Sequence, residues 1–198
     1  MKTNYFGSDS KLDPNKHHQY AERLPFYAEQ AGVPIEYLYK RSITEFVKNP
    51  SKDVIVRYLT NFPKLTSLGC YGLVLSGQHT NMMQKVACIA GTLSRNFVDA
   101  RVMTLDEVLN HLYEVGKISY SCVIITNFQT GDCKLSPKQK NAIHGMIQDR
   151  ILREKQTVVY VEQMSDLEAY YGLAMKALLG DHYMEAKGDY VSQDNSKF

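Results

Sequence analysis

Tyr71-Gly72-Leu73-Val74-Leu75-Ser76-Gly77 is a short apolar run closed at both ends by glycine. That is the pattern of a strand buried on both faces. The stretch after it, Lys85–Leu93 (KVACIAGTL), reads as a helix. Towards the C-terminus the same rhythm recurs. Ala100–Thr104 is a second strand, followed by Leu105, Val108, Leu109 and Leu112 at i, i+3, i+4 and i+7 on a helix that Thr104 or Asp106 would cap. Ser121–Thr126 is a third strand, and Ser136–Arg153 a helix with Pro137 in its first turn. Thr157–Val161 is a fourth strand and Asp166–Leu179 a last helix. Parallel strands need crossover helices, and doubly covered strands read as continuous apolar runs. The alternation therefore predicts an α/β fold with a mostly parallel sheet flanked by helices.

Upstream of the first strand the chain is helical. Tyr20, Leu24, Tyr27 and Ala28 recur at helical spacing, with Gly32 and Pro34 as a stop. Ser51 is placed to cap a second helix through Val54–Leu59, which Asn61 and Pro63 close. The first 20 residues are polar and predict an arm, in which His17-His18 are solvated. The expected division is an N-terminal arm and short helix over 1–27 and one α/β domain over 28–198.

At 198 residues, 44% apolar and 22% charged, with 12 Gly and 6 Pro, the chain is a globular domain and not a collagen-like, low-complexity or disordered one. No apolar run reaches the ~18–20 residues that cross a bilayer, and the first residues lack a secretory signal, so the expected location is the cytoplasm, with no membrane partner. Cys70, Cys88, Cys122 and Cys133 stand far apart with no C-x-x-C pair, which predicts buried thiols, no disulfide and no metal site. A net charge of +2 neither requires nor forbids a nucleic-acid partner.

The order Ala31-Gly-Val-Pro-Ile, Ser42-Ile-Thr-Glu-Phe, a helix, Gly72-Leu-Val-Leu-Ser-Gly, Arg101-Val-Met-Thr, Val123-Ile-Ile, Asp149-Arg150 and Thr157-Val-Val resembles the AAA+ P-loop ATPase domain of bacterial and phage replicative-helicase loaders. The transposition helper ATPases of insertion elements share that domain. The resemblance covers roughly residues 28–190. It implies a P-loop-type core, with a phosphate loop between the first strand and its helix.

Departures from the family pattern fall on its catalytic parts. In the register of G-x-x-x-x-G-K-[ST], Gly77 keeps the first glycine, while Met82, Met83 and Gln84 replace the second glycine, the lysine and the magnesium-binding hydroxyl. A β-carbon at 82 obstructs backbone approach to phosphate, Met83 carries no charge, and Gln84 is a poor magnesium ligand. Lys85 lies two positions beyond the lysine site and is expected to point elsewhere. The third strand ends Thr126-Asn127, where loaders carry paired acids, and neither side chain serves as a general base. The polar sensor after the fourth strand is altered to Tyr160-Val161-Glu162-Gln163.

These losses predict a pseudo-ATPase with no nucleotide cofactor and no catalytic residues. His79 is expected to be loop filler, and Asp106 and Glu107 to favour their helix start. Lys138, Lys140, Arg153 and Lys155 are candidates for a DNA-binding stripe, with a solvated helix face as the alternative. Tyr113, Tyr120, Tyr160, Tyr170 and Tyr171 are candidates for base stacking, with half-burial in the core as theirs. Arg150 matches the family's subunit-facing arginine and is a candidate contact to a partner, the alternative being an intrahelical pair with Glu154. The expected function is that of a nucleotide-independent, loader-like protein of phage or mobile-element DNA replication. Its partners would be single-stranded DNA, the replicative helicase or another loader subunit, in a homo- or hetero-oligomer. An inhibitor or decoy of a host helicase or loader, and an ATP-dependent loader with an unusual phosphate loop, are the alternatives.

Overall fold

The computed structural model describes residues 22–39, 41–46, 51–131 and 134–188. The arm with His17 and His18, and Cys133, lie outside them. The elements in chain order are α1 (Leu24–Ala31), α2 (Glu36–Tyr39), α3 (Ile43–Phe46), α4 (Ser51–Asn61), β1 (Gly72–Ser76), α5 (Met82–Arg95), β2 (Ala100–Met103) and α6 (Leu105–Val115). They continue with β3 (Cys122–Gln129), α7 (Pro137–Leu152), β4 (Gln156–Val161), α8 (Leu167–Tyr171), α9 (Leu173–His182) and β5 (Tyr183–Lys187). The strands form one five-stranded parallel sheet in the order β2-β3-β4-β1-β5.

Alternate residues of β1, β3 and β4 enter different cores, which is why these strands lack a polar face. Leu73, Leu75, Ile124 and Val158 pack with Ile55, Val86, Ile89 and Leu93 from α4 and α5. On the other face Val74, Val123, Ile125 and Val159 pack with Val108, Leu109, Ile143, Ile147 and Leu179 from α6, α7 and α9. Leu73, Val74 and Leu75 are all buried, and each such side chain contributes about 1.5–3 kcal/mol of burial. Of the two candidate caps, Thr104 caps α6, in a capping box with Glu107; Ser136 and Gln139 make the same box on α7.

Several expectations change. The helix after β1 starts three residues earlier than the apolar pattern, at Met82. The boundary expected between residues 27 and 28 falls inside α1, whose Leu24, Ala28 and Ala31 enter the same core as the sheet. The last helix breaks at Gly172 (φ 92°, ψ 164°) into α8 and α9. β5, which the sequence reading omits, lies on the edge beside β1. Its sequence, Tyr-Met-Glu-Ala-Lys, buries only Tyr183 and Ala186 and has no apolar run to betray it.

Candidate functional site

β1 and β4 are neighbours, yet the helices that follow them leave on opposite faces: α5 packs in the core with Leu73, and α9 in the core with Val74. The crevice at their carboxyl ends is the topological switch point, where open α/β sheets place their ligands. The loop from Gly77 to Asn81 lies there.

This loop is held by its own surroundings. Gly77 (φ 81°) donates its N–H to Val161 O at 3.0 Å, tying the loop to the end of β4. On the side of β5, a β-carbon on Gly188 would stand 2.3 Å from Gln78 O, so only glycine permits the chain to lie so close against the loop. Asn81 takes the left-handed conformation (φ 53°) and α5 begins at the next residue. Met82 is half-buried against the core of α4 and α5, Met83 is 59% exposed, and Gln84 is half-buried. Lys85 does not point away from the loop. It is fully buried, and its Nζ lies 3.4 Å from His79 Nδ1, while the His79 ring stands edge-on to Tyr160 at 6.3 Å. Burial, and then the charge of Glu162, push the Tyr160 phenol above its ordinary pKa.

Of the two positions where the resemblance expects acids, Asn127 has a structural duty. Asn127 Oδ1 accepts the N–H of Leu105 at 2.7 Å, so this side chain serves the start of α6. Thr126 is half-buried beside it, where β3 shifts register against β4 between Ile125 and Gln129. Glu162 Oε2 accepts the Gly131 N–H at 2.9 Å, and Gln129 Oε1 accepts that of Gln163 at 3.1 Å. Ser76 donates its hydroxyl to Glu185 of β5 at 2.6 Å, a pairing that sequence reasoning missed along with the strand. Among the described residues no three His, Cys, Asp or Glu side chains are grouped to hold a metal ion.

The four DNA-binding candidates do not form one stripe. Lys138 and Lys140 stand in the first turn of α7, at the same end of the sheet as the Gly77 loop. Arg153 and Lys155 lie past its last turn, ~20 Å along the axis at 1.5 Å per residue. Arg153 is paired with Asp149 at 2.7 Å. Two tyrosines join the first pair of lysines: Lys138 Nζ lies 5.7 Å from the Tyr113 ring centre and Lys140 Nζ 4.6 Å from that of Tyr170. Tyr113 is 53% exposed. Tyr171 is turned inward, stacked on Phe128 at 4.7 Å with its hydroxyl donating to Phe128 O at 2.6 Å. Tyr120 lies against His111 and Tyr160 against His79.

Arg150 is not at a subunit face. It is 1% exposed and its guanidinium is spent inside the protein. Nε donates to Thr157 Oγ1 at 2.8 Å, Nη1 to Ile118 O and Tyr120 O at 3.2 and 3.1 Å, and Nη2 to Gln156 O at 2.5 Å. Helix phase explains the error. Ile143, Met146, Ile147 and Arg150 share one face of α7, and that face lies on the sheet. Nor does Arg150 bond to Glu154.

No protein-family model matches the sequence, and no curated protein matches it. Solved structures do match. DnaI superposes with a TM-score of 0.58 at 12% identity, over 79% of this chain and 95% of that one. The DnaC helicase loader gives a TM-score of 0.53 at 14% identity, over 82% of this chain and 98% of DnaC. The replication initiator DnaA bound to AMPPCP and single-stranded DNA gives 0.53 at 12%, over 74% of this chain and 50% of DnaA. This chain shares its fold with these proteins. At such identities the likeness is one of architecture. No helix among the described residues is long and apolar enough to cross a membrane.

Proposed function

We propose that this protein is a nucleotide-independent relative of the helicase-loader ATPases, acting in phage or mobile-element DNA replication by binding the replicative helicase or another loader subunit. The observation that carries this reading is the filling of the phosphate loop by the protein itself. The one lysine on the first turns of α5 is buried against His79, Gly188 closes the loop on the β5 side, and Met83 at the phosphate-lysine position is directed outward and uncharged. A triphosphate needs backbone amides and a cation facing the ligand, and Met82 and Met83 supply neither room nor charge. Titration calorimetry with ATP and magnesium is the test. Heat no greater than dilution is expected, and magnesium-dependent micromolar binding would overturn the reading.

A contact to single-stranded DNA is favoured by a separate observation, the pairing of Lys138 with Tyr113 and of Lys140 with Tyr170. An ammonium for phosphate beside a ring for base stacking is the chemistry of sequence-tolerant single-strand binding. The expected affinity is weak and falls with salt. The log–log slope becomes shallower by about 0.7 for each lysine removed in Lys138→Ala and Lys140→Ala, because each releases one fewer counterion. Binding that does not respond to salt refutes this contact.

A further inference from the structure

Of the five tyrosines that could stack on a base, Tyr120, Tyr160, Tyr170 and Tyr171 are half-buried and Tyr113 is 53% exposed. The phase of α6 explains the difference. Leu105, Val108 and Leu109 form its buried stripe, and Tyr113, four residues past Leu109, falls on the margin of that stripe in the last turn. There it stands beside the start of α7, whose Lys138 Nζ lies 5.7 Å from its ring centre. That is near the ~6 Å limit of a cation–π contact, so the ammonium stands at the ring without covering it. Tyr170 is placed differently. Lys140 Nζ sits 4.6 Å over its ring centre, and the Tyr171 ring meets it edge-on at 4.9 Å. Tyr171 is itself fixed on Phe128 near the end of β3. The Tyr170 ring is therefore packed between groups of the protein.

Lys138 and Lys140 are two residues apart, a separation that turns side chains to different flanks of a helix. Here one reaches the α6 side and the other the α8 side. A base needs an open ring face. Tyr113 offers one, whereas a face of Tyr170 is taken by an ammonium. Every base has a π-face and every nucleotide a phosphate, so an exposed ring beside an exposed lysine holds one nucleotide by both parts at once. We propose that Tyr113 is the stacking platform of the single-strand contact, that Lys138 binds the phosphate next to the stacked base, and that Tyr170 is a positioning residue which holds Lys140 for a neighbouring phosphate. The inference rests on the single-strand reading above, to which it adds the separate duties of the two rings. It makes the ligand a strand with bases, in any sequence, and not a bare polyanion.

Labelled oligo-dT of about 15 nucleotides and an abasic strand of the same length carry the same phosphates and differ only in their bases, so fluorescence anisotropy with both separates ring from charge. The protein is expected to prefer oligo-dT about tenfold. Tyr113→Leu should abolish that preference and leave the salt slope as it was, and Tyr113→Phe should keep both. Tyr170→Leu should keep the preference and flatten the log–log slope by up to about 0.7 through release of Lys140, and Tyr170→Phe should restore the slope. Tyr113 is exposed, so its variants do not threaten the fold. Equal affinity of the unmodified protein for both strands, at a normal salt slope, overturns the proposal and leaves the lysine contact standing. So does a base preference that survives Tyr113→Leu or is lost in Tyr170→Leu. A slope unchanged in Tyr170→Leu overturns the positioning of Lys140. Absence of salt-dependent binding to either strand overturns the single-strand reading and this proposal with it.

Discussion

Replacing Arg150 by alanine withdraws the donors that hold three segments together at the amino-terminal end of the sheet. The four acceptors are Ile118 O and Tyr120 O in the loop before β3, and Gln156 O and Thr157 Oγ1 at the start of β4. Hydrogen bonds from a charged group contribute about 1.5–3 kcal/mol each. Losing all four and leaving their buried acceptors partly unpaired costs about 3–5 kcal/mol in total, less than the sum because some acceptors recover water or repack. Against a total stability of about 5–15 kcal/mol for a domain, that is enough to unfold a marginal protein. Arg150→Lys keeps the charge but not the planar fork, and an intermediate loss of about 2 kcal/mol is expected. Arg153→Ala is the control on the same helix: its exposed pair with Asp149 contributes about 0.3–0.5 kcal/mol. Urea unfolding followed by far-ultraviolet circular dichroism measures all three. A loss below about 1 kcal/mol for Arg150→Ala, or one no larger than that of Arg153→Ala, would refute the assignment of this arginine to the fold.

Burial pushes the Cys88 and Cys122 thiols up to about 12, so the native state keeps protons that the unfolded chain releases above about 8.5. Stability is therefore complete below that pH and falls by about 1.4 kcal/mol per pH unit per thiol towards pH 12; a urea midpoint constant from pH 8 to 10 would contradict this, and Cys122→Ala should reduce the slope. Phe97 sits 68% exposed in the left-handed region (φ 60°) just past α5, where Val98 N–H bonds back to Leu93 O. Phe97→Gly should raise stability by about 0.5–1 kcal/mol, and a lower thermal midpoint would show that the ring contributes more than the backbone strain costs. Asn127→Ala removes the acceptor for Leu105 N–H and should cost about 1–2 kcal/mol in urea unfolding, with ATP still giving no heat above dilution.

What the sequence determined alone was whatever depends on local pattern. The apolar runs at Leu73–Leu75, Val123–Ile125 and Val158–Val159 could only be strands covered on both faces, and the helical periods between them made those strands parallel. Thr104 announced its helix as a cap, and Pro137 its helix as a first-turn proline, because both signals are short-range. The residue types at Met82, Met83, Gln84, Thr126 and Asn127 were equally legible, and the proposal of nucleotide independence rests on them. Tertiary structure decided the rest. β5 has no apolar run and exists as a strand because β1 offers it an edge. Lys85 turned inward to His79, and Arg150 became a core cation, because the phase of a helix against a sheet fixes which charged residue is buried. Lys138 and Arg153 look like one stripe in the sequence and stand at opposite ends of α7. Tyr113 and Tyr170 meet the lysines only because α6 and α8 flank the start of that helix, a proximity that no spacing along the chain encodes.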